Sequence, residues 1–498
     1  MTATSHTTER SRRSAEINRL RSGEPRLLID GQLVAGTTGR TFVTTDPYTG
    51  EKLADVPDAD DADVDRAVDA ADRALAGWRA TPAAERARAV LDLADVVELH
   101  GEELALLESL DIGSPIVNAR KDIEIALQQM RLFAGLALEM KGQTIPGGAA
   151  LHVTVREPVG VVAKIFPFNH PLMFACRVAA PLVAGNPCVI KPPEAGPLSV
   201  LRLAELAKDV FPPGVMNVVV GDGPDVPDRL VRHPKVRRIG FIGSERTGRA
   251  IQRAAAETGV KDVSLELGGK NALIVFDDAS MTDAARSAVS GMNFMWSGQS
   301  CGSTSRLLVH ESRHDEVLAE VARLVAEIRL GDPLDESTTQ GTMVDSQARK
   351  KALDYIDIAC SEGARIVVGG GSEVDERSLF VKPTVLADVR PDARVAQEEI
   401  FGPVLSVLRF TTEEEAVRIA NGVPYGLTGA VWTNDIDRAF RVATALEAGF
   451  TWVNGSGAHF PNVPYGGVKS SGVGAKEECL EELLSYTHEK VINVMIRR

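Results

Sequence analysis

From residue 159 onward, short β-branched runs alternate with amphipathic stretches, and this alternation constrains the fold more than any other feature of the 498-residue chain. Runs at Val159 to Ile165, Val189-Ile190, Val215 to Val220, Arg237 to Ile242, Val263 to Leu267 and Ala272 to Phe276 are too short for helices and rich in Val and Ile. Helical segments start at Pro171, Pro197 and Ser244 between them. Strands separated by helices predict parallel sheets with crossover connections. The pattern restarts after Gly302 with Arg306 to Val309 and a helix through Leu330, so two α/β units are expected, joined near Glu266. Ahead of them, residues 62–140 read as helical, with Val90, Leu93, Val97, Leu104 and Leu107 as core. Leu151 to Arg156 and Tyr486 to Ile496 fit neither unit; lone strands of this kind pair across a subunit interface or sit at a sheet edge.

A chain this long exceeds one hydrophobic core, and 44% hydrophobic residues suffice for two or three. Its 55 basic and 69 acidic residues give a net charge of -14 and a pI near 5.3. With no basic cluster beyond the N-terminus, nucleic acid is not an expected partner. Residues 1–24 read as a polar arm without the apolar segment of a secretory signal, and no stretch has membrane-spanning length. A cytoplasmic protein with no membrane partner is expected. Five irregularly spaced cysteines and nine scattered histidines predict neither a disulfide framework nor a metal site.

Four stretches carry chemistry. Phe166-Pro167-Phe168-Asn169-His170-Pro171 ends a strand and opens a helix, which puts the Asn169 amide where it can donate to an oxyanion. Alone, Asn169 reads first as a turn or cap residue, and His170, with no partner in the sequence, reads as packing. Lys191-Pro192-Pro193-Glu194 ends another strand with a cation and an acid suited to ribose hydroxyls. Gly243-Ser244 opens a helix whose amides can receive a pyrophosphate, although no Gly-x-Gly-x-x-Gly is present. Glu266 and Cys301 supply a carboxylate base and a thiol flanked by small residues that leave backbone amides free.

In this order and spacing, and together with Glu398 to Val404, Val453-Asn454 and Pro464 to Gly472, these stretches resemble the aldehyde dehydrogenase superfamily over roughly residues 25 to 495. The resemblance implies an α/β, aldehyde dehydrogenase-like fold with two parallel α/β domains and a small β oligomerisation extension. Residues 25–140 and 158–265 would form the dinucleotide-binding domain, 266–465 the catalytic domain, and 141–157 with 480–498 the extension of a homodimer or homotetramer. It further implies Cys301 as nucleophile, Asn169 as oxyanion donor and Glu266 as hydrolytic base. Phe166, Pro167, Lys191, Glu194, Gly243, Ser244, Glu399 and Phe401 would bind the cofactor. Phe168, Phe174, Arg177, Trp296, Ser300, His459 and Phe460 would line the substrate tunnel, with the choice among Met173, Phe174 and Cys176 left open.

An acid at Glu194 favours NAD over NADP, its alternative, and Glu266 favours hydrolysis of the thioester over transfer to coenzyme A. The competing readings are a coenzyme A-acylating or reductive relative and a catalytically silent binding homologue. Two departures from the family pattern stand out. Lys476 occupies the neighbourhood of an acid that some relatives use in proton relay, and Glu477, one residue on, would point about 100° away on a helix. Pro227 replaces a glycine that faces the adenine in many relatives.

Overall fold

The computed structural model of the protein describes residues 14–15, 18–19, 24–148, 150–370 and 378–496, so most of the arm expected over 1–24 lies outside the described residues. The β-branched runs become strands of two sheets. Among the described residues the first sheet has eight strands in the order Gln32–Val34, Leu27–Ile29, Met216–Val218, Cys188–Lys191, Val161–Ile165, Val236–Gly243, Asp262–Leu267, Gly472–Val473. Its five inner strands are parallel and the flanking ones antiparallel. Chain order runs outward in both directions from Val161–Ile165, so the strand order reverses between that strand and Val236–Gly243. A crevice opens beyond the carboxyl ends at such a reversal, and ligands of doubly wound sheets bind there.

The second sheet runs Arg365–Val368, Thr384–Ala387, Val404–Phe410, Arg306–His310, Ala272–Val275, Thr428–Trp432, Phe450–Val453, parallel except at its first pair. Residues 268–271 connect the sheets, at the join read near Glu266. The helices Asp61–Ala80, Ala83–Leu99, Gly101–Ile112 and Ile116–Gly135 fill the region expected to be helical. The first is started by a capping box in which the Asp60 carboxylate accepts from the Asp63 amide at 3.0 Å. Val90, Leu93, Val97, Leu104 and Leu107 are each 0% exposed, and burying a side chain of this kind contributes about 1.5–3 kcal/mol.

Two features differ from the sequence reading. Residues 25–60 contribute the edge strands Leu27–Ile29 and Gln32–Val34 and a hairpin of Thr41–Thr45 with Lys52–Pro57; strands of three residues carry too little periodicity to be read. The two orphan strands pair with each other: Thr487–Met495 runs antiparallel to Ala150–Pro158 in continuous register from Thr487 opposite Pro158 to Met495 opposite Ala150. Among the described residues no helix is long and apolar enough to cross a membrane.

Candidate active site

Cys301 lies in a tight turn that leads into the strand Arg306–His310. Gly298 in this turn has φ +67°, and a Cβ there would sit 2.2 Å from the Gly402 carbonyl oxygen, so only glycine lets the thiol turn touch the 399–402 segment. Asn271 fixes the turn from below, donating from Nδ2 to the carbonyls of Cys301 at 2.8 Å and Ser303 at 2.9 Å while its Oδ1 accepts from the Thr428 amide at 3.0 Å. The thiol opens on a cavity of about 550 Å³. Burial pushes its pKa up to about 12, and the carboxylates of Glu399 and Glu266 add to the rise, while Arg177 and a hydrogen bond with Tyr465 oppose it.

Glu266 ends the strand Asp262–Leu267 and faces the same cavity, with Oε2 accepting from the Gly467 amide at 3.2 Å. Burial holds its carboxyl well above the usual range and Glu477 raises it further; the Gly467 amide, Lys476 and Arg177 act in the other direction. Residues 474–479 are not helical, and Glu477 pairs in an antiparallel bridge with Tyr465. The expected 100° helical offset therefore does not apply, and Glu477 lines the cavity with Glu266. Lys476 turns away, donating from Nζ to the carbonyls of Gly466 and, at 2.9 Å, Gly467.

Arg177 also lines the cavity but is spent on structure: its guanidinium pairs with Glu477 and, at 2.7 Å, with Glu478, over the Phe174 ring. Phe174, Trp296, Ser300, His459 and Phe460 share the wall. Of the three open candidates, Met173 and Phe174 face the cavity, whereas Cys176 is fully buried elsewhere. Phe168 is not on this wall; it packs edge-on against Phe401 at 5.9 Å. Asn169 is 5% exposed and sits in a small neighbouring cavity shared with Ser297 and Gln299 of the thiol turn, where its Oδ1 has no hydrogen-bond partner among the described residues.

His170 differs from the expectation of a residue without a partner. Its Nδ1 lies 2.7 Å from Asp122 Oδ2, and both residues line the large cavity. The turn that carries Asn169 and His170 is anchored from beneath by Glu108, which accepts from the Leu172 amide and the Ser199 hydroxyl, each at 2.9 Å. Burial, with Asp122 adding to it, pushes Glu108 up to about 8.

The cofactor-binding candidates gather at the strand-order reversal. Lys191 and Glu194 form an ion pair at the end of Cys188–Lys191. Ser244 caps the helix Glu245–Thr258, accepting from the Thr247 amide, and Gly243 precedes it. Gly248 brings that helix close to the sheet, since a Cβ there would stand 2.9 Å from Leu267 Cδ2. Glu399 accepts from the Gly269 amide at 2.9 Å. Phe401 adopts φ +57° beside Gly402. Pro167 is half-buried, whereas the Phe166 ring is core, 4% exposed and stacked on Phe174. Pro227 falls in the first turn of the helix Asp225–Arg232, where a missing N–H costs no helical bond.

The model of the aldehyde dehydrogenase family matches residues 33–492. The chain belongs to the aldehyde dehydrogenase family. It is 46% identical over 480 residues to aldehyde dehydrogenase tropH of Talaromyces stipitatus, covering 94% of this chain and 93% of that protein. Retinaldehyde dehydrogenase 3 of Mus musculus is 40% identical over 478 residues, covering 95% and 93%. Among solved structures, the NAD+ complex of an aldehyde dehydrogenase from Bacillus cereus superposes with a TM-score of 0.93 at 38% identity, covering 97% of this chain and 98% of that one. The P. syringae indole-3-acetaldehyde dehydrogenase AldA, as a cysteine-to-alanine mutant in complex with NAD+ and IAA, gives 0.94 at 38% identity, covering 98% and 99%. The two-sheet architecture is the aldehyde dehydrogenase fold, and oxidation of aldehydes is the chemistry of this enzyme family.

Within this aldehyde dehydrogenase, sequence reasoning missed three groups at the site. Tyr465, hydrogen-bonded to the thiol, lies inside the Pro464 to Gly472 stretch that marked the resemblance, so its position was visible and its role was not. Asn271 follows the Glu266 motif directly, and Asp122 carried no local signal at all.

Proposed function

We propose that this aldehyde dehydrogenase oxidises an aldehyde to the free carboxylic acid through a thiohemiacetal and a thioester on Cys301, with NAD as hydride acceptor. The observation that carries the reading is that Cys301 and Glu266, from opposite sheets, open on one cavity beside the strand-order reversal. The residues fit a dinucleotide. The helix Glu245–Thr258 presents free N-terminal amides behind Gly243, Lys191 and Glu194 stand at the adjoining strand end, and Gly268 leaves room for the Glu399 carboxylate, which would lie 2.2 Å from a Cβ there. When bound, NAD would supply a hydride acceptor and a positive charge. Glu194 suits a free ribose hydroxyl better than the 2′-phosphate of NADP.

Cys301 gives up its proton to cavity water and attacks the aldehyde carbon as thiolate, and the Asn169 side chain together with the Cys301 amide holds the oxyanion. Loss of hydride leaves the thioester. Glu266 then takes a proton from water, which adds to the thioester carbon, and the acid departs as the thiol is regained. A base with a raised pKa is suited to this step, because it accepts a proton readily near neutrality. Glu477, which lines the same cavity, would receive that proton next. Transfer to coenzyme A instead of water is the competing outcome, and analysis of products with and without coenzyme A separates the two.

By this reading the first sheet serves dinucleotide binding, the second carries the thiol, and the paired strands 150–158 and 487–495 form the extension of a homodimer or homotetramer. Among the described residues one edge of Thr487–Met495 is unpaired and exposes Val491 and Met495, 55% and 70% accessible. The test is an aldehyde panel followed by NADH absorbance, with NADP in parallel, on the wild type and Cys301→Ala. The variant is expected to bind NAD and form no NADH; substantial turnover would remove Cys301 from its role.

A further inference from the structure

A polar pair outside the thiol chemistry faces the cavity. Asp122, on the helix Ile116–Gly135, and His170, just ahead of the helix Pro171–Cys176, meet at 2.7 Å and are 3% and 9% exposed. In the imidazole tautomer that donates from Nδ1 to Asp122, Nε2 carries the lone pair. Nε2 makes no hydrogen bond among the described residues. The ring is wedged edge-on between Phe174 at 5.6 Å and Trp296 at 5.5 Å, so its orientation is fixed by packing as well as by Asp122. A fixed acceptor thus stands between two aromatic rings that line the cavity Cys301 opens on.

Charge narrows what fits. Arg177 is matched by two carboxylates, Glu477 and Glu478; of the other charged lining residues, Lys121 stands over the Trp296 ring at 5.7 Å, while Asp122, Glu124 and Glu266 are acids. An anionic group meets both this negative wall and a lone pair; an uncharged donor meets a partner.

We propose that His170 Nε2 is the specificity-determining acceptor and that the substrates are uncharged aromatic aldehydes bearing a free hydroxyl. The substrate ring lies beside the edges of Phe174 and Trp296, its hydroxyl donates to Nε2, and its carbonyl reaches Cys301. The assignment rests on the reading of Cys301 as nucleophile and adds the substrate class to it. At about 550 Å³ the cavity accommodates a single substituted ring and larger phenolic aldehydes.

The test compares the three hydroxybenzaldehyde isomers with the matching methoxybenzaldehydes and carboxybenzaldehydes, by kcat/KM with NAD. Methylation removes the donor and leaves the ring. In the wild type, at least one hydroxy isomer is expected to exceed its methoxy partner by about tenfold, since an unpaired acceptor in the methoxy complex is penalised on that scale. The carboxy compounds should be poorest. In His170→Phe the hydroxy-to-methoxy ratio should fall to about one, and His170→Gln, which keeps an acceptor, should recover part of it. A wild-type ratio near one for every isomer, or a ratio that survives in His170→Phe, overturns the assignment. Binding of the same pairs to Cys301→Ser protein with NAD, by tryptophan fluorescence, separates the two readings. Hydroxyl-selective binding without NADH formation by the wild type upholds His170 and refutes aldehyde oxidation; turnover without selectivity does the reverse.

Discussion

Replacing Arg177 by glutamine removes the cation that holds two buried carboxylates together. The Arg177 side chain is 5% exposed, and the Glu477 and Glu478 side chains that flank it are 10% and 6% exposed. Breaking such a buried pair leaves charge without compensation and costs about 3–5 kcal/mol, which for a chain of this size lowers Tm by roughly 3–5 °C. The identity of the stranded charge gives a sharper test. If repulsion between the acids is the cause, Arg177→Gln/Glu477→Gln should be more stable than Arg177→Gln alone by about 1–3 kcal/mol, although it carries one more substitution. Thermal unfolding at a single scan rate, followed by far-UV circular dichroism, measures both variants. Arg177 also holds the pKa of Glu266 down, so its loss should move the acidic limb of the steady-state rate to higher pH, because the base acts only when deprotonated. A double variant less stable than the single, together with an unshifted acidic limb, would refute the charge argument and leave Arg177 as packing over Phe174.

Glu266→Gln should retain a burst of NADH and then turn over slowly, with stopped-flow absorbance resolving the two phases; loss of the burst would give Glu266 an earlier role. The folded-state pKa of Glu266 lies above its unfolded value, so stability from this group is present below the unfolded pKa and lost as pH rises through the folded one. Glu266→Gln should therefore gain Tm relative to wild type at pH 8 and lose that advantage at pH 5. Lys476→Met removes the donors that pin Gly466 and Gly467, loosening the amide that Glu266 accepts from, and should slow deacylation about tenfold, with Lys476→Arg recovering part in single-turnover assays. Gly268→Ala would drive a methyl group into the Glu399 carboxylate and should weaken NAD binding about tenfold by titration calorimetry, while unchanged affinity would remove Glu399 from the ribose site.

What could be read in the sequence follows from the range of the interactions involved. The strands from Val161 to Val275 were legible because each is a run of buried β-branched residues whose pattern is local. Cys301 and Glu266 were legible through the motifs around them. The Asp122–His170 pair was not, since its members stand 48 positions apart, and neither was the Arg177–Glu477 contact, across 300. Lys476 illustrates the same limit: a helical offset was inferred for its neighbour because nothing local announces that 474–479 is held open by a bridge to Tyr465. Phe168 was assigned to the tunnel by motif position alone, and an aromatic partner more than two hundred residues away, Phe401, decides otherwise.

The short strand Gly472–Val473 closes the edge of the first sheet against Leu265 and Glu266, from the far end of the chain. During synthesis, the ribosome releases the first sheet's inner strands long before this one emerges. Until then the strand bearing Glu266 is an open edge, and neither the Gly467 amide nor Glu477 is in place. By the proposed mechanism, the nascent chain could assemble the crevice of the first sheet and display its thiol before Glu266 has its Gly467 and Glu477 partners, so hydrolytic competence would arrive with the last few dozen residues. A ribosome-stalled chain ending near residue 460 should accordingly be reactive toward thiol reagents at Cys301 and prone to edge-to-edge association, until the C-terminal segment is supplied.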